Sequence, residues 1–209
     1  MASACCFENP GRRGWERPRQ GESMRSSKPM PGNPWPHDME IAVDDRPSLL
    51  LELLWIREAY ELEPPGEDLP PLLTDTPVVI RDAAVSTDTR ARWEHAWPRI
   101  WHAATHADMA GPGWREEFGD DAFDSDFYRT WSQRGWDAYL ATLPVRVEDS
   151  PEWRDLPDLV LAWRAGLRRI ITIPCTGAFT RKIGENALLM AFPTRENSDS
   201  YRQALSMFV

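Results

Sequence analysis

The sequence predicts an α+β protein, predominantly helical and tryptophan-rich, with a small, mostly antiparallel sheet formed largely by its C-terminal third. Three observations predict this class. Apolar residues recur at helical spacing through most of residues 48–143. β-rich segments collect after residue 168. Strands and helices are therefore segregated along the chain rather than alternating, which favours α+β over a doubly wound sheet.

The first 36 residues, MASACCFENPGRRGWERPRQGESMRSSKPMPGNPWP, are rich in Gly, Pro, Arg and Ser and have no hydrophobic period. They are expected to be disordered, leaving residues 37–209 as one globular domain. Met24, Met30 and Met39 are alternative starting points. In HDMEIAVDD, Met39, Ile41 and Val43 alternate with polar or small residues, the mark of a half-buried strand. Leu49, Leu50, Leu53, Ile56 and Tyr60 then repeat at helical spacing, with Ser48 as the expected N-cap and Pro64-Pro65 as the stop. A proline-rich loop leads to VVIRD (78–82), which fits a short strand.

From Ser86 the pattern is helical. STDTRARWEHAWPRIWHAATHADM reads as one helix kinked at Pro98, or as two meeting there, ended by Gly111-Pro112-Gly113. In the next helix Phe123, Phe127, Trp131 and Tyr139 share one register. DLPDLVLAWRAG is a short helix with Asp155 at its N-cap, Pro157 in its first turn and Gly166 just past its end. RRIITIPC, AFTRKI and ALLMAF then fit a hairpin or three-stranded meander, and a last helix puts Tyr201, Leu205 and Phe208 on one face.

Composition bounds function. The chain of 209 residues has net charge −9 and eleven Trp. Residues 1–30 hold six Lys/Arg against three Glu, so residues 31–209 carry 18 basic and 30 acidic groups. An acidic body repels phosphates and anionic lipid, so neither nucleic acid nor membrane is an expected ligand, and a basic protein partner suits it better. Three cysteines, Cys5, Cys6 and Cys175, make no disulfide framework, which points to a reducing cytoplasm. No apolar run reaches the ~18 residues of a membrane span, and no apolar core follows the basic N-terminal residues, so no signal peptide is expected.

PWPHDMEIAVDDRPSLLLELLWIREAYEL and AWRAGLRRIITIPCTGAFTRKIGENALLMAFPTRENSDSYRQAL resemble a group of small acidic bacterial proteins from high-GC genomes, a group with no assigned function. The resemblance covers about a third of the chain. It implies that residues 34–209 form the real unit, and it transfers no catalytic or binding residue.

The candidate chemistry is sparse. His102 and His106 share a helix stripe with His95, while Trp93, Trp97 and Ile100 lie opposite, so the apolar side should pack and the histidines should face outward. HAATH has the four-residue spacing of the H-E-x-x-H zinc motif, but Ala103 stands where the general-base glutamate belongs. His95 lies ~10 Å further along the axis. A metal on His102 and His106 would need a carboxylate such as Asp108, and no metal or other cofactor is expected. GDDAFDSDF fails as a calcium loop in the frames from Asp120 and Asp121, which set Ala122 or Phe123 at a ligand position. Cys175 follows a β-rich run with no helix start or histidine beside it to make it nucleophilic. Arg181 and Arg195 could converge at one end of the sheet to hold a carboxylate or phosphate. No G-x-S-x-G, P-loop or G-x-G-x-x-G occurs. The expected function is a non-catalytic cytoplasmic binding protein of accessory or immunity type. The alternative is a small enzyme with an anion site near Cys175, Arg181 and Arg195.

Overall fold

The computed structural model describes residues 23–25, 34–66, 69–74, 85–106, 114–119, 123–142, 144 and 146–209. The fold is α+β. Among the described residues the strands are β1 (Ser23–Arg25), β2 (Glu40–Asp44), β3 (Arg169–Ile173), β4 (Thr180–Ile183) and β5 (Ala187–Ala191), in the sheet order β1-β2-β3-β5-β4. The helices are α1 (Ser48–Ala59), α2 (Thr87–His106), α3 (Trp114–Phe118), α4 (Asp126–Thr142), α5 (Pro151–Arg154), α6 (Leu156–Arg164), α7 (Phe192–Glu196) and α8 (Ser198–Leu205).

The sheet is mixed, which corrects the mostly antiparallel expectation. β2 pairs parallel with β3, and β3 parallel with β5, while β1–β2 and β4–β5 are antiparallel. β4 and β5 do form the expected hairpin, turning at Gly184, whose φ of +54° suits a residue without Cβ. A meander is excluded because β3 pairs with β5 and not with β4. All five residues of β5 are buried, as expected of a strand covered on both faces. The expected strand at 78–82 lies outside the described residues.

The core divides across the sheet. On one face Ile171, Ile173, Leu189 and Ala191 meet α1 through Leu53, Leu54 and Ile56, and α2 through Trp93, Trp97 and Ile100. On the other, Ile41, Ile170, Leu188 and Met190 meet Leu159, Ala162, Tyr201, Leu205 and Phe208. The register in β2 and the last-helix face are thus as expected. Burial of apolar surface on both faces, worth ~25 cal/mol per Å², favours a sheet whose strands come from opposite ends of the chain.

The expected helices form with local adjustments. Ser48 is the first helical residue of α1 and not its cap, which is Pro47. α2 runs through Pro98 as one 20-residue helix, with Ser86 Oγ accepting from the Thr89 N–H at its start. In α4 the buried side is carried by Trp131 and the half-buried Tyr128, whereas Phe127 is 48% exposed, a correction to the register read from sequence. Gly166, φ +121°, closes α6 as expected.

Two features correct the expectation of disorder up to residue 36. Ser23–Arg25 pairs with Glu40–Ala42, and Trp35 is buried, its indole N–H donating to the Met39 carbonyl at 3.1 Å. The remainder of residues 1–33 lies outside the described residues.

Candidate functional site

α2 presents the histidines as its phase requires. Trp93, Trp97 and Ile100 are buried, while His95, His102 and His106 are exposed. The His102 and His106 rings stack at 4.0 Å with planes 14° apart. A shared ion needs in-plane lone pairs that converge, which near-parallel stacked rings do not supply. Nδ1 of His106 lies 2.9 Å from the His102 carbonyl and 3.0 Å from the Thr105 hydroxyl, so that nitrogen is engaged within its own helix. Among the described residues no three His, Cys, Asp or Glu gather as a metal site. Asp108, Asp120 and Asp121 lie outside those residues.

Cys175 is fully buried at the end of β3, where it forms an isolated bridge with Leu73. Burial pushes its thiol up to about 12; Arg57 opposes the shift and Glu58 adds to it. At neutral pH it is a protonated thiol beneath the proline loop. Arg57 fastens that loop, donating to the Pro70 and Pro71 carbonyls at 2.7 and 2.8 Å.

Arg195 sits in α7, just past the carboxyl end of β5. Its Nε and Nη2 donate to the two oxygens of Glu152, each at 2.8 Å. Glu152 is buried and also accepts from the Tyr201 hydroxyl at 3.3 Å. Burial alone would lower Arg195, but the charge and hydrogen bonds of Glu152 outweigh it and hold the guanidinium above its ordinary value. Burial, reinforced by Glu152, holds Tyr201 well above the usual phenol range. Nearby Asp155 takes the Ser198 hydroxyl and the Arg154 guanidinium, which is why it does not cap α6 with its side chain. Tyr139 donates to Asp45 just beyond β2, and burial followed by that hydrogen bond raises its hydroxyl too.

The carboxyl ends of parallel strands are where open sheets place their sites. Here that end carries Asp45, Tyr139, Glu152, Arg195 and Tyr201, but the half-buried Arg195 guanidinium is already neutralised by the buried Glu152 carboxylate. Arg181 is elsewhere, half-buried on edge strand β4 opposite Leu189. Of the three expected anion-site residues, Cys175 and Arg195 are thus each committed to the interior.

A second polar group was not picked out by sequence. Glu52, in the leucine run of α1, accepts from Arg115 Nη2 of α3 at 2.7 Å. The Glu52 side chain is 10% exposed and that of Arg115 42%. Phe123 and Tyr128 adjoin the pair and belong to a larger ring cluster. Trp55 lies 5.2 Å from Trp131 and 5.6 Å from Tyr128, Phe123 lies 5.9 Å from Tyr128, and the Arg115 guanidinium is 5.4 Å from the Phe123 ring centre. Burial raises the Glu52 carboxyl, against the pull of Arg115, and Tyr128 also hydrogen-bonds to it. The Trp55 indole N–H, in the same ring cluster, is buried and has no hydrogen-bond partner among the described residues. The available signal was a lone glutamate among Leu49, Leu50, Leu51, Leu53 and Leu54.

Among the described residues no helix is long and apolar enough to cross a membrane. No protein-family model, curated protein or solved structure matches this chain.

Proposed function

We propose that this chain is a non-catalytic cytoplasmic binding protein, of accessory or immunity type, whose partner is a basic protein. The observation that carries this reading is the charge of residues 31–209, 30 acidic groups against 18 basic. Such an excess raises the encounter rate with a cationic partner and repels nucleic acid. The interior supports it as well. The reading as an enzyme with an anion site needs Cys175 ionisable and Arg195 open, whereas the first is a buried thiol and the second is held by Glu152.

The test is affinity capture from native lysate at low salt, with elution by steps of increasing ionic strength. A protein of basic isoelectric point, purified and recombined with the chain, should form a stoichiometric complex that salt weakens. Recovery of no stoichiometric partner in several growth states, or of an acidic partner indifferent to salt, refutes the reading.

A further inference from the structure

We propose that the ring-walled carboxylate Glu52 is the seat for an arginine side chain of a basic protein partner, and that Arg115 occupies this seat in the free protein. The inference rests on the preceding reading for the partner's charge, and adds the place and the side chain.

A guanidinium is favoured where a partly desolvated carboxylate and aromatic faces meet, since charge-assisted hydrogen bonding and ring contact act on one planar cation. Glu52 supplies the carboxylate, Tyr128 hydrogen-bonds to it, Phe123 lies against the Arg115 guanidinium, and Trp131 and Trp55 extend the ring cluster from Tyr128. Arg115 shows that the seat accepts this group, and its side chain keeps 42% of its surface in solvent, so an incoming arginine meets it at the surface.

A buried carboxylate left without its cation is costly, so Arg115 leaves only as another cation arrives. The tethered occupant competes at an effective concentration of order mM, which masks the seat from free arginine in the native chain. Removing Arg115 therefore unmasks it.

The test uses the full chain and acetyl-arginine amide as probe, followed by calorimetry and by tryptophan fluorescence. Arg115→Ala should bind the probe at least ten-fold more tightly than the parent and more tightly than it binds acetyl-lysine amide, and Arg115→Ala/Glu52→Gln should lose that gain. A folded Arg115→Ala with no gain, or a gain that survives Glu52→Gln, overturns the proposal. Should Arg115→Ala lose helicity, millimolar ethylguanidinium must restore it, and failure to do so overturns the proposal equally. A basic partner that binds Phe123→Ala and Glu52→Gln as tightly as the parent removes this seat but leaves the partner reading standing. Probe binding without any captured partner refutes the partner reading and, with it, the assignment of this seat to a partner's arginine.

Discussion

Replacing Trp97 with Ala tests the orientation of α2, and with it the whole histidine reading. The indole is fully buried, donates to the Leu53 carbonyl at 2.8 Å, stacks on Trp101 at 5.1 Å and lies 5.5 Å beneath the Arg57 guanidinium. Burying an aromatic of this size removes ~150–250 Å² from water, or about 4–6 kcal/mol at 25 cal/mol per Å². Alanine retains a little of that, and Leu53 stays within the α1 ladder, so the lost hydrogen bond adds no more than about 1 kcal/mol. The expected cost is about 4 kcal/mol, inside the usual range for emptying a large core site. That is a sizeable share of the ~5–15 kcal/mol that holds a domain folded. His102→Gln/His106→Gln, on the opposite side of the helix, should change stability by only about ±0.5 kcal/mol. Urea denaturation followed by far-UV circular dichroism measures both. If the double histidine variant unfolds at lower urea than Trp97→Ala, and EDTA destabilises the parent to match, the outward histidines are a metal site and the reasoning fails.

Three further outcomes are expected. Glu152→Gln should cost about 3 kcal/mol because it leaves the largely buried Arg195 beside a neutral amide, and Glu152→Leu/Arg195→Met should recover much of that loss; equal costs for the single and double variants would show that the pair is not coupled. The Cys175 thiol is raised in the folded state, so its contribution is complete below the unfolded value of about 9 and is lost as pH climbs toward about 12. In a background lacking Cys5 and Cys6, the parent should lose stability across that window by up to ~1.4 kcal/mol per pH unit more than Cys175→Ala, and parallel pH curves would contradict the burial argument. Deleting residues 1–33 removes β1 and bares the β2 edge, so thermal unfolding should fall by a few degrees, about 1–2 kcal/mol for a short edge pairing; an unchanged midpoint would mean that β1 contributes nothing.

The elements that sequence made legible are those with a local period. Met39, Ile41 and Val43 predict a strand with one apolar side, and Trp93, Trp97 and Ile100 predict the buried face of α2 even across Pro98, because a helix or strand repeats its exposure every few residues. The order of strands has no such local record. ALLMA did contain a clue, since five apolar residues in a row suit a strand covered on both faces and therefore a central, partly parallel position. The candidate sites were less legible still. Glu152 meets Arg195 across 43 residues and Glu52 meets Arg115 across 63, and neither spacing repeats. Only the oddity of a charge inside a leucine run marked Glu52. Arg195 lies near the sheet end without Arg181 beside it, and its carboxylate partner, invisible in sequence, makes it half of a closed pair and not an anion binder.

The parallel pairing of β2 with β3 also fixes an order in time. Asp44 and Arg169, joined by an ion pair at 2.8 Å, are 125 residues apart in the chain. At a synthesis rate of ~5–20 residues per second, β2 emerges roughly 6–25 s before the strand that it must pair with. Helices α1 and α2 can form by local contacts in that interval, but Leu53, Leu54, Ile56 and Trp97 have no sheet to cover them until Ile171, Ile173 and Leu189 arrive. The nascent chain therefore passes through a stage with its largest apolar surface uncovered, and a chain cut short before β3 should aggregate or recruit a chaperone rather than wait as a stable half-domain.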